Sequence, residues 1–169
     1  MSFVHQRHKP ATALPENREL VLAIPPLRSN INLARIIRAA GCSGVRRVIV
    51  AGDQRIDAKI ARDSLDFVTI ERRRSLIPVL KKIKASREFT LIGLEQTTNS
   101  TSICHYHFPD RSMLVLGHER DGIEPPTLEL LDAVVEIPVF GLPHSFNVAT
   151  ATAMALYEFT RQSICGANA

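Results

Sequence analysis

The sequence contains no tryptophan, two tyrosines and three cysteines among its 169 residues. So few aromatic side chains argue against a protein that stacks single-stranded bases on aromatic platforms. Cys42, Cys104 and Cys165 are odd in number and far apart, which indicates free thiols in a reducing compartment. No apolar run approaches the ~20 residues of a membrane span, and the N-terminal segment lacks the apolar core of a secretory signal. We therefore expect a cytoplasmic protein without a membrane partner.

Several common site signatures are also missing. No G-x-G-x-x-G follows a predicted strand, so an ordinary dinucleotide fingerprint is absent. The segment Gly117–Gly122 has the glycine spacing of a phosphate-binding P-loop but lacks the Lys-Ser/Thr pair that should follow it. Cys104, His105 and His107 lie close in sequence, but a four-ligand zinc site needs further partners at definite spacing. We therefore expect no metal.

The composition is ordinary for a single globular domain, with 45% hydrophobic and 22% charged residues. The charges are distributed unevenly along the chain. Residues 1–88 carry 18 Lys and Arg against 8 Asp and Glu, whereas residues 89–169 carry 3 against 9. A basic half of this kind suggests that it holds a polyanion. Charge alone is equally compatible with a solvated surface that has no partner.

Apolar segments alternate with helical periodicity from Glu19 onward. Strands are predicted at 19–24, 45–52, 89–95, 112–117 and 133–139, and helices at 30–41, 57–63, 75–86 and 146–162. This alternation predicts an α/β fold with a mostly parallel sheet and helices on both faces. In such folds ligands bind at the carboxyl ends of the strands. Residues 1–18 are expected to form a basic N-terminal arm, and residues 19–165 a single domain.

Three stretches carry a recognisable pattern. They are NLARIIRAA (32–40), LVLGHERDGI (114–123) and IPVFGLPHSFNVATA (137–151). In this order and spacing they resemble the three motifs of the SpoU (TrmH-like) RNA 2′-O-ribose methyltransferases, within the SPOUT superfamily. The resemblance extends over about residues 19–162, and its specificity comes from all three motifs together.

The resemblance implies a homodimer with active sites at the subunit interface and a deep trefoil knot near the C-terminus. It also implies that S-adenosylmethionine is the methyl donor and binds in that knot. The positions that match the family's cofactor site are Leu94, Gly117, Ile137, Ser145 and Phe146. The positions that match its catalytic site are Arg38, Asn32, Glu119, Ser145 and Asn147. Two positions depart from the usual pattern: Ala34 stands where many relatives have glycine, and Phe146 where many have leucine.

Other interpretations of these side chains remain open. Ser145 and Asn147 precede an apolar helix and are also typical helix caps. Glu119 fits an exposed turn, and Arg38 alone fits a solvated helix surface. As a catalytic group, Arg38 is either a base helped by a nearby phosphate or a fixed charge that stabilises the developing alkoxide, because guanidinium groups stay protonated.

A run of cations provides a candidate RNA-binding patch. The principal members are Arg72, Arg73, Arg74, Lys81 and Lys82, which we place on or near the helix at 75–86. Lys84 and Arg87 lie beside them, and Arg7 and Lys9 of the arm are weaker candidates. A solvated helix face is the alternative for the whole group.

The favoured function is an S-adenosylmethionine-dependent RNA 2′-O-ribose methyltransferase that acts on tRNA. The tRNA assignment depends on the small size, on the absence of a separate RNA-binding domain, and on IGLEQT (92–97) and LGHERDGI (116–123). These segments resemble TrmH-type enzymes that modify a D-loop guanosine. Ribosomal RNA is the first alternative, and a non-catalytic knotted dimer that only binds RNA is the second. An unrelated nucleotide-binding α/β enzyme is a third, disfavoured by the missing glycine signatures.

Overall fold

The computed structural model describes residues 2–6 and 9–165, without the side chain of Cys165. Arg7, a weak candidate for RNA contact, lies outside the described residues. The elements in chain order are β1 (Glu19–Ile24), α1 (Asn30–Cys42), β2 (Arg47–Ala51), α2 (Ala58–Ala61), α3 (Ser64–Phe67), β3 (Thr69–Arg73), α4 (Ile77–Ser86), β4 (Thr90–Leu94), β5 (Thr101–Ser102), β6 (Arg111–Leu116), α5 (Pro125–Leu128), β7 (Ala133–Glu136) and α6 (Val148–Cys165).

The seven strands found in the described part of the chain form one sheet in the order β3-β2-β1-β6-β4-β7-β5, and every pair of neighbours is parallel. Because side chains alternate along a strand, each strand contributes to two cores. Leu22 and Leu114 belong to the core that includes α1 and α6, whereas Val21 and Met113 belong to the core that includes α4. The predicted α/β fold, with a parallel sheet between helices, is therefore confirmed.

Helix α1 follows its sequence signals closely. Ser29 is its N-cap, and the Ser29 hydroxyl accepts a hydrogen bond from the Asn32 backbone N–H at 3.2 Å. Leu33, Ile36, Ile37 and Ala40 are buried, as their spacing predicts. The cap and the buried face together fix the direction in which α1 presents Asn32 and Arg38.

The structure corrects the prediction in the region of 57–74. The short helix expected over 57–63 is α2, and a second short helix that was not predicted, α3, follows it. Arg72 and Arg73 lie on the unpredicted strand β3 rather than on helix α4, and Arg74 lies in the loop between them. Strand β3 has only β2 beside it, so its segment Thr-Ile-Glu-Arg-Arg is only partly buried and lacks the apolar run of an interior strand. The two-residue strand β5 was missed as well, since it is too short to produce a pattern.

Residues near the end of the N-terminal segment are attached to the body of the fold. The Arg18 guanidinium lies 4.7 Å from the centre of the Phe159 ring and 3.6 Å from the Asp110 carboxylate. The Leu14 side chain lies against Gly44, because a Cβ built on Gly44 would be 3.0 Å from it. Among the described residues, no helix is long and apolar enough to cross a membrane.

Candidate active site

A chain of hydrogen bonds joins all three sequence motifs. The Glu119 carboxylate accepts hydrogen bonds from the backbone N–H of Arg28 at 2.7 Å and of Ser29 at 3.0 Å. It also accepts one from the Asn32 side-chain amide at 3.2 Å. The Asn32 carbonyl oxygen in turn accepts a hydrogen bond from the Asn147 amide at 3.3 Å. We call Glu119, Asn32 and Asn147 the polar network.

The polar network connects the starts of two helices. Ser29 and Asn32 lie at the N-terminus of α1, and the Asn147 carbonyl oxygen caps α6 by accepting from the Ala149 N–H at 2.9 Å. Helix N-termini present unpaired N–H groups and a partial positive charge, which a carboxylate satisfies. The capping interpretation of Asn147 and its place in the site are therefore compatible.

The environment of Glu119 keeps its carboxylate ionised. Burial alone would raise the pKa of Glu119, but the hydrogen bonds from Arg28, Asn32 and Ser29 outweigh it and lower the pKa below its ordinary value. The sequence also allowed Glu119 to be an exposed turn acid. The structure instead gives it a half-buried position with three donors.

A cleft of about 200 Å³ opens beside the polar network at the carboxyl ends of β4, β6 and β7. All five residues predicted to bind the cofactor line it, together with Glu119. They are Leu94, Gly117, Ile137, Ser145 and Phe146. Phe146, larger than the usual leucine, forms part of the cleft wall and is 40% exposed. The structure thus brings the predicted cofactor residues together and places one member of the polar network among them.

The loop between β6 and α5 is closed tightly around Glu95. Glu95 accepts a hydrogen bond from the Ile123 N–H at 2.9 Å. A Cβ on Gly117 would lie 2.9 Å from the Glu95 carboxylate and 2.9 Å from the backbone of Gly122. Gly122 has a φ of +69°, and a Cβ there would lie 2.5 Å from the same carboxylate. Glu95 also lines the cleft. It was missed as a site residue, although it lies in the segment IGLEQT.

Arg38 is not part of the polar network. It lies six residues after Asn32 on α1, about 9 Å farther along the helix at a rise of about 1.5 Å per residue. Its side chain is exposed, and within the described chain it has no hydrogen bond or ion pair. Ala34, one turn before it, is fully buried in the core. The structure therefore separates Arg38 from the other predicted catalytic residues within one subunit.

The predicted RNA-binding cations are exposed but occupy different elements. Arg72 and Arg73 lie on β3, Arg74 in the following loop, and Lys81 and Lys82 on α4. Arg73 forms an ion pair with Glu71 at 2.5 Å, which leaves it less available to a phosphate than its neighbours. Among the described residues, no group of His, Cys, Asp and Glu is placed to hold a metal ion.

Comparisons with known proteins agree with this geometry. The mouse (Mus musculus) tRNA (guanosine(18)-2′-O)-methyltransferase TARBP1 is 39% identical over 97 residues, which cover 57% of this chain and 6% of that protein. The 23S rRNA (guanosine-2′-O-)-methyltransferase RlmB of Acinetobacter baylyi is 31% identical over 153 residues, which cover 88% of this chain and 62% of that protein. The chain therefore spans less than two thirds of the length of both relatives.

A solved structure extends the similarity to the fold. The SpoU methyltransferase AviRb from Streptomyces viridochromogenes, in complex with the cofactor AdoMet, superimposes with a TM-score of 0.76 at 29% identity. The match covers 90% of this chain and 63% of that one. A model of the SpoU rRNA Methylase family matches residues 19–157. Since that match includes the polar network, the cleft and well over half of the residues, the chain belongs to the SpoU rRNA Methylase family.

Proposed function

We propose that this chain is an S-adenosylmethionine-dependent RNA 2′-O-ribose methyltransferase that acts on tRNA. The observation that carries the proposal is the meeting of the cleft and the polar network at Glu119, which lines one and belongs to the other. A cofactor bound in the cleft and an RNA ribose bound beside the polar network would therefore lie next to each other. Similarity to a tRNA guanosine methyltransferase supports tRNA, with a D-loop guanosine as the specific acceptor, and similarity to a 23S rRNA enzyme keeps rRNA as the second candidate.

The residues of the cleft fit S-adenosylmethionine. Leu94, Leu116 and Ile137 offer an apolar wall for the adenine ring, and Glu95 and Glu136 offer carboxylates for the positive charges of the sulfonium and the amino group. Main-chain groups around Gly117 come close to the cleft because the glycine has no side chain. Bound there, the cofactor would supply an electrophilic methyl group for transfer to a ribose oxygen.

Glu119 acts in this proposal as a positioning residue. Both of its oxygens are already engaged by donors at the start of α1, so the carboxylate is poorly placed to remove a proton from a hydroxyl group. Its hydrogen bonds hold α1 against the loop that forms the cleft. Asn32 and Asn147 then lie at fixed positions beside the cleft, with Ser145 exposed at its wall.

Arg38 stabilises the charge that develops on the ribose oxygen. A guanidinium group stays protonated, so its permanent charge suits an alkoxide better than it suits proton abstraction. Arg38 is distant from the polar network within one subunit. Its catalytic role therefore requires a second subunit to bring Arg38 of one copy near the cleft of the other.

A homodimer is supported by apolar side chains left exposed on and next to the two packed helices. Ile31 lies on α1, Met154 and Tyr157 on α6, and Phe140 and Leu142 in the loop before α6. Phe140 is 99% exposed and Tyr157 is 68% exposed, which is costly unless another surface covers them. Light scattering tests this assignment, because a monomeric mass together with full activity would contradict it.

The trefoil knot of the family is supported by the order of the strands. Strand β7 lies between β4 and β5, two strands that precede it in the chain, and α6 then packs against α1. A C-terminal segment inserted between earlier strands in this way is compatible with such a knot. We also propose residues 19–165 as the catalytic domain, residues 1–18 as its arm, and the cytoplasm as its location, where the exposed thiols of Cys42 and Cys104 would stay reduced.

Transfer of tritium from labelled S-adenosylmethionine to total tRNA and to rRNA, followed by nucleoside mapping, tests the proposed reaction. A 2′-O-methylguanosine in the tRNA D-loop would support the full proposal. Methylation of rRNA alone would select the second candidate. Tight cofactor binding without methyl transfer to either RNA would contradict the enzymatic function and favour the non-catalytic RNA-binding dimer.

A further inference from the structure

A second cleft lies on the other side of the loop that follows β6. Its volume is about 410 Å³, and the catalytic proposal assigns it no role. Its walls come from Ala51 at the end of β2 and from segments that follow β1, β3 and β6, at the same carboxyl edge of the sheet as the first cleft. Leu116, His118 and Gly122 border both clefts, so one strand end and one loop separate them.

The position of the second cleft in the sheet is typical of a ligand site. From β1 the chain runs outward through β2 and β3, and it then returns to form β4 on the opposite side of β1. The direction in which strands are added therefore reverses between β1 and β6. In open α/β sheets a crevice outside the carboxyl ends of the strands forms at such a reversal, and ligands bind there.

The second cleft combines an apolar floor with opposite charges on its two sides. Pro25, Pro26 and Leu76 contribute apolar surface. Arg74 follows β3, whereas Asp121 and Glu124 follow β6. These strands are three spacings apart in the sheet, which places the two sides roughly 14 Å from each other at about 4.8 Å per spacing.

The charged groups at the rim are available to a ligand. Within the described part of the chain, neither Arg74 nor Glu124 forms an ion pair. The Asp121 carboxylate lies 2.8 Å from His118 Nδ1 through one oxygen, and its other oxygen is not engaged by that contact. A ligand with an anionic group at one end and N–H donors at the other would be complementary to this arrangement.

We propose that the second cleft binds one nucleotide of the acceptor RNA, next to the nucleotide that is methylated. The base lies on the apolar floor, the phosphate contacts Arg74, and an exocyclic amino group of the base donates to Asp121 or Glu124. Guanine, adenine and cytosine carry such a group, whereas uracil offers only its ring N3–H and should bind more weakly. The role in RNA recognition depends on the proposed function, and the shared loop explains how the neighbouring nucleotide would reach the cofactor cleft.

Binding of free nucleotides tests the cleft without any methyl transfer. We expect GMP to shift the backbone amide NMR signals of Ser75, Ile77 and Gly122 in the ¹⁵N-labelled protein, and UMP to shift them less. Ser75→Trp would fill the cleft from an exposed position just before α4 and abolish the shifts. Ala85→Trp, at an exposed position on α4 outside the cleft, would preserve them. Equal shifts with inorganic phosphate alone, or GMP shifts located elsewhere, would overturn the proposal.

Kinetics with an RNA that the wild type methylates give the second test. Arg74→Glu should raise the KM for RNA at least tenfold, about 1.4 kcal/mol, and leave the affinity for S-adenosylmethionine unchanged. Lys59→Glu makes the same charge change at an exposed site on α2 and should have little effect. An unchanged KM in both Ser75→Trp and Arg74→Glu would refute the inference. If the wild type methylates neither tRNA nor rRNA while GMP still binds in the second cleft, the proposed function fails and the nucleotide site stands.

Discussion

Replacing Glu119 with glutamine tests whether the polar network holds the site together. The carboxylate accepts from Arg28 N–H through one oxygen, and from Ser29 N–H and the Asn32 amide through the other. A glutamine keeps the shape but has one acceptor oxygen, and its NH₂ group must face a donor. The least costly orientation keeps the contacts to Ser29 and Asn32 and loses the contact to Arg28.

The expected cost follows from the type of hydrogen bond that is lost. A hydrogen bond to a charged group contributes about 1.5–3 kcal/mol to stability. Glu119→Gln should therefore lower the free energy of unfolding by about 1.5–3 kcal/mol at pH 7. For a domain of this size, about 2–4 °C per kcal/mol places the fall in Tm at about 3–12 °C.

The effect should depend on pH in a defined direction. The folded state lowers the pKa of Glu119 below its ordinary value of 4.5. The stabilisation is therefore fully present above that value and is lost as the pH falls through the folded-state pKa. The difference in stability between wild type and Glu119→Gln should be constant near neutral pH and should shrink in acid.

Urea unfolding followed by circular dichroism measures both quantities. A lower midpoint with an unchanged m-value would indicate a loss of stability rather than a change in compactness. Glu129→Gln is the matched control, since Glu129 is exposed at the end of α5, and it should change the stability by less than about 0.5 kcal/mol. Equal midpoints for wild type and Glu119→Gln, or a difference that persists undiminished in acid, would refute this reasoning.

Three further predictions concern binding and catalysis. Gly117→Val should weaken cofactor binding, measured by calorimetry, at least tenfold, about 1.4 kcal/mol, because the new Cβ would meet the Gly122 backbone at 2.9 Å. Gly141→Ala is the control and should bind the cofactor normally, because the space around Gly141 is open. Arg38→Ala should lower the rate of methyl transfer in single-turnover assays about 10²- to 10⁴-fold, and the affinity for the cofactor should be retained. If Arg38→Lys restores most of this rate, Arg38 acts by charge stabilisation. A wild-type rate for Arg38→Ala would remove it from the catalytic site. Replacing Arg72 and Lys82 together by alanine should raise the KM for RNA and flatten its salt dependence, and an unchanged salt slope would show that this patch does not bind RNA.

The interior elements and the residues of the cleft beside Glu119 were predictable from the sequence for different reasons. Strands β1, β4 and β6 are buried on both faces, so each appears as a continuous apolar run, and α1 carries its cap and its buried spacing within a few residues. The cleft residues Gly117, Ile137 and Ser145 were predicted from a resemblance of motifs. Their convergence follows because the carboxyl ends of parallel strands meet at one edge of the sheet.

The sequence by itself therefore determined the α/β class, the buried faces and the chemistry available at the strand ends, because those depend on local propensity and side-chain periodicity. Only the tertiary structure decided which of those ends become neighbours. Strand β3 exists because β2 pairs with it, and Glu119 reaches α1 although the two are about 90 residues apart in the chain. The second cleft depends on the order of four strands, which no local pattern encodes. The tertiary structure also decides that Glu119 and Asn147 gather around Asn32 rather than around Arg38, which lies six residues farther along α1.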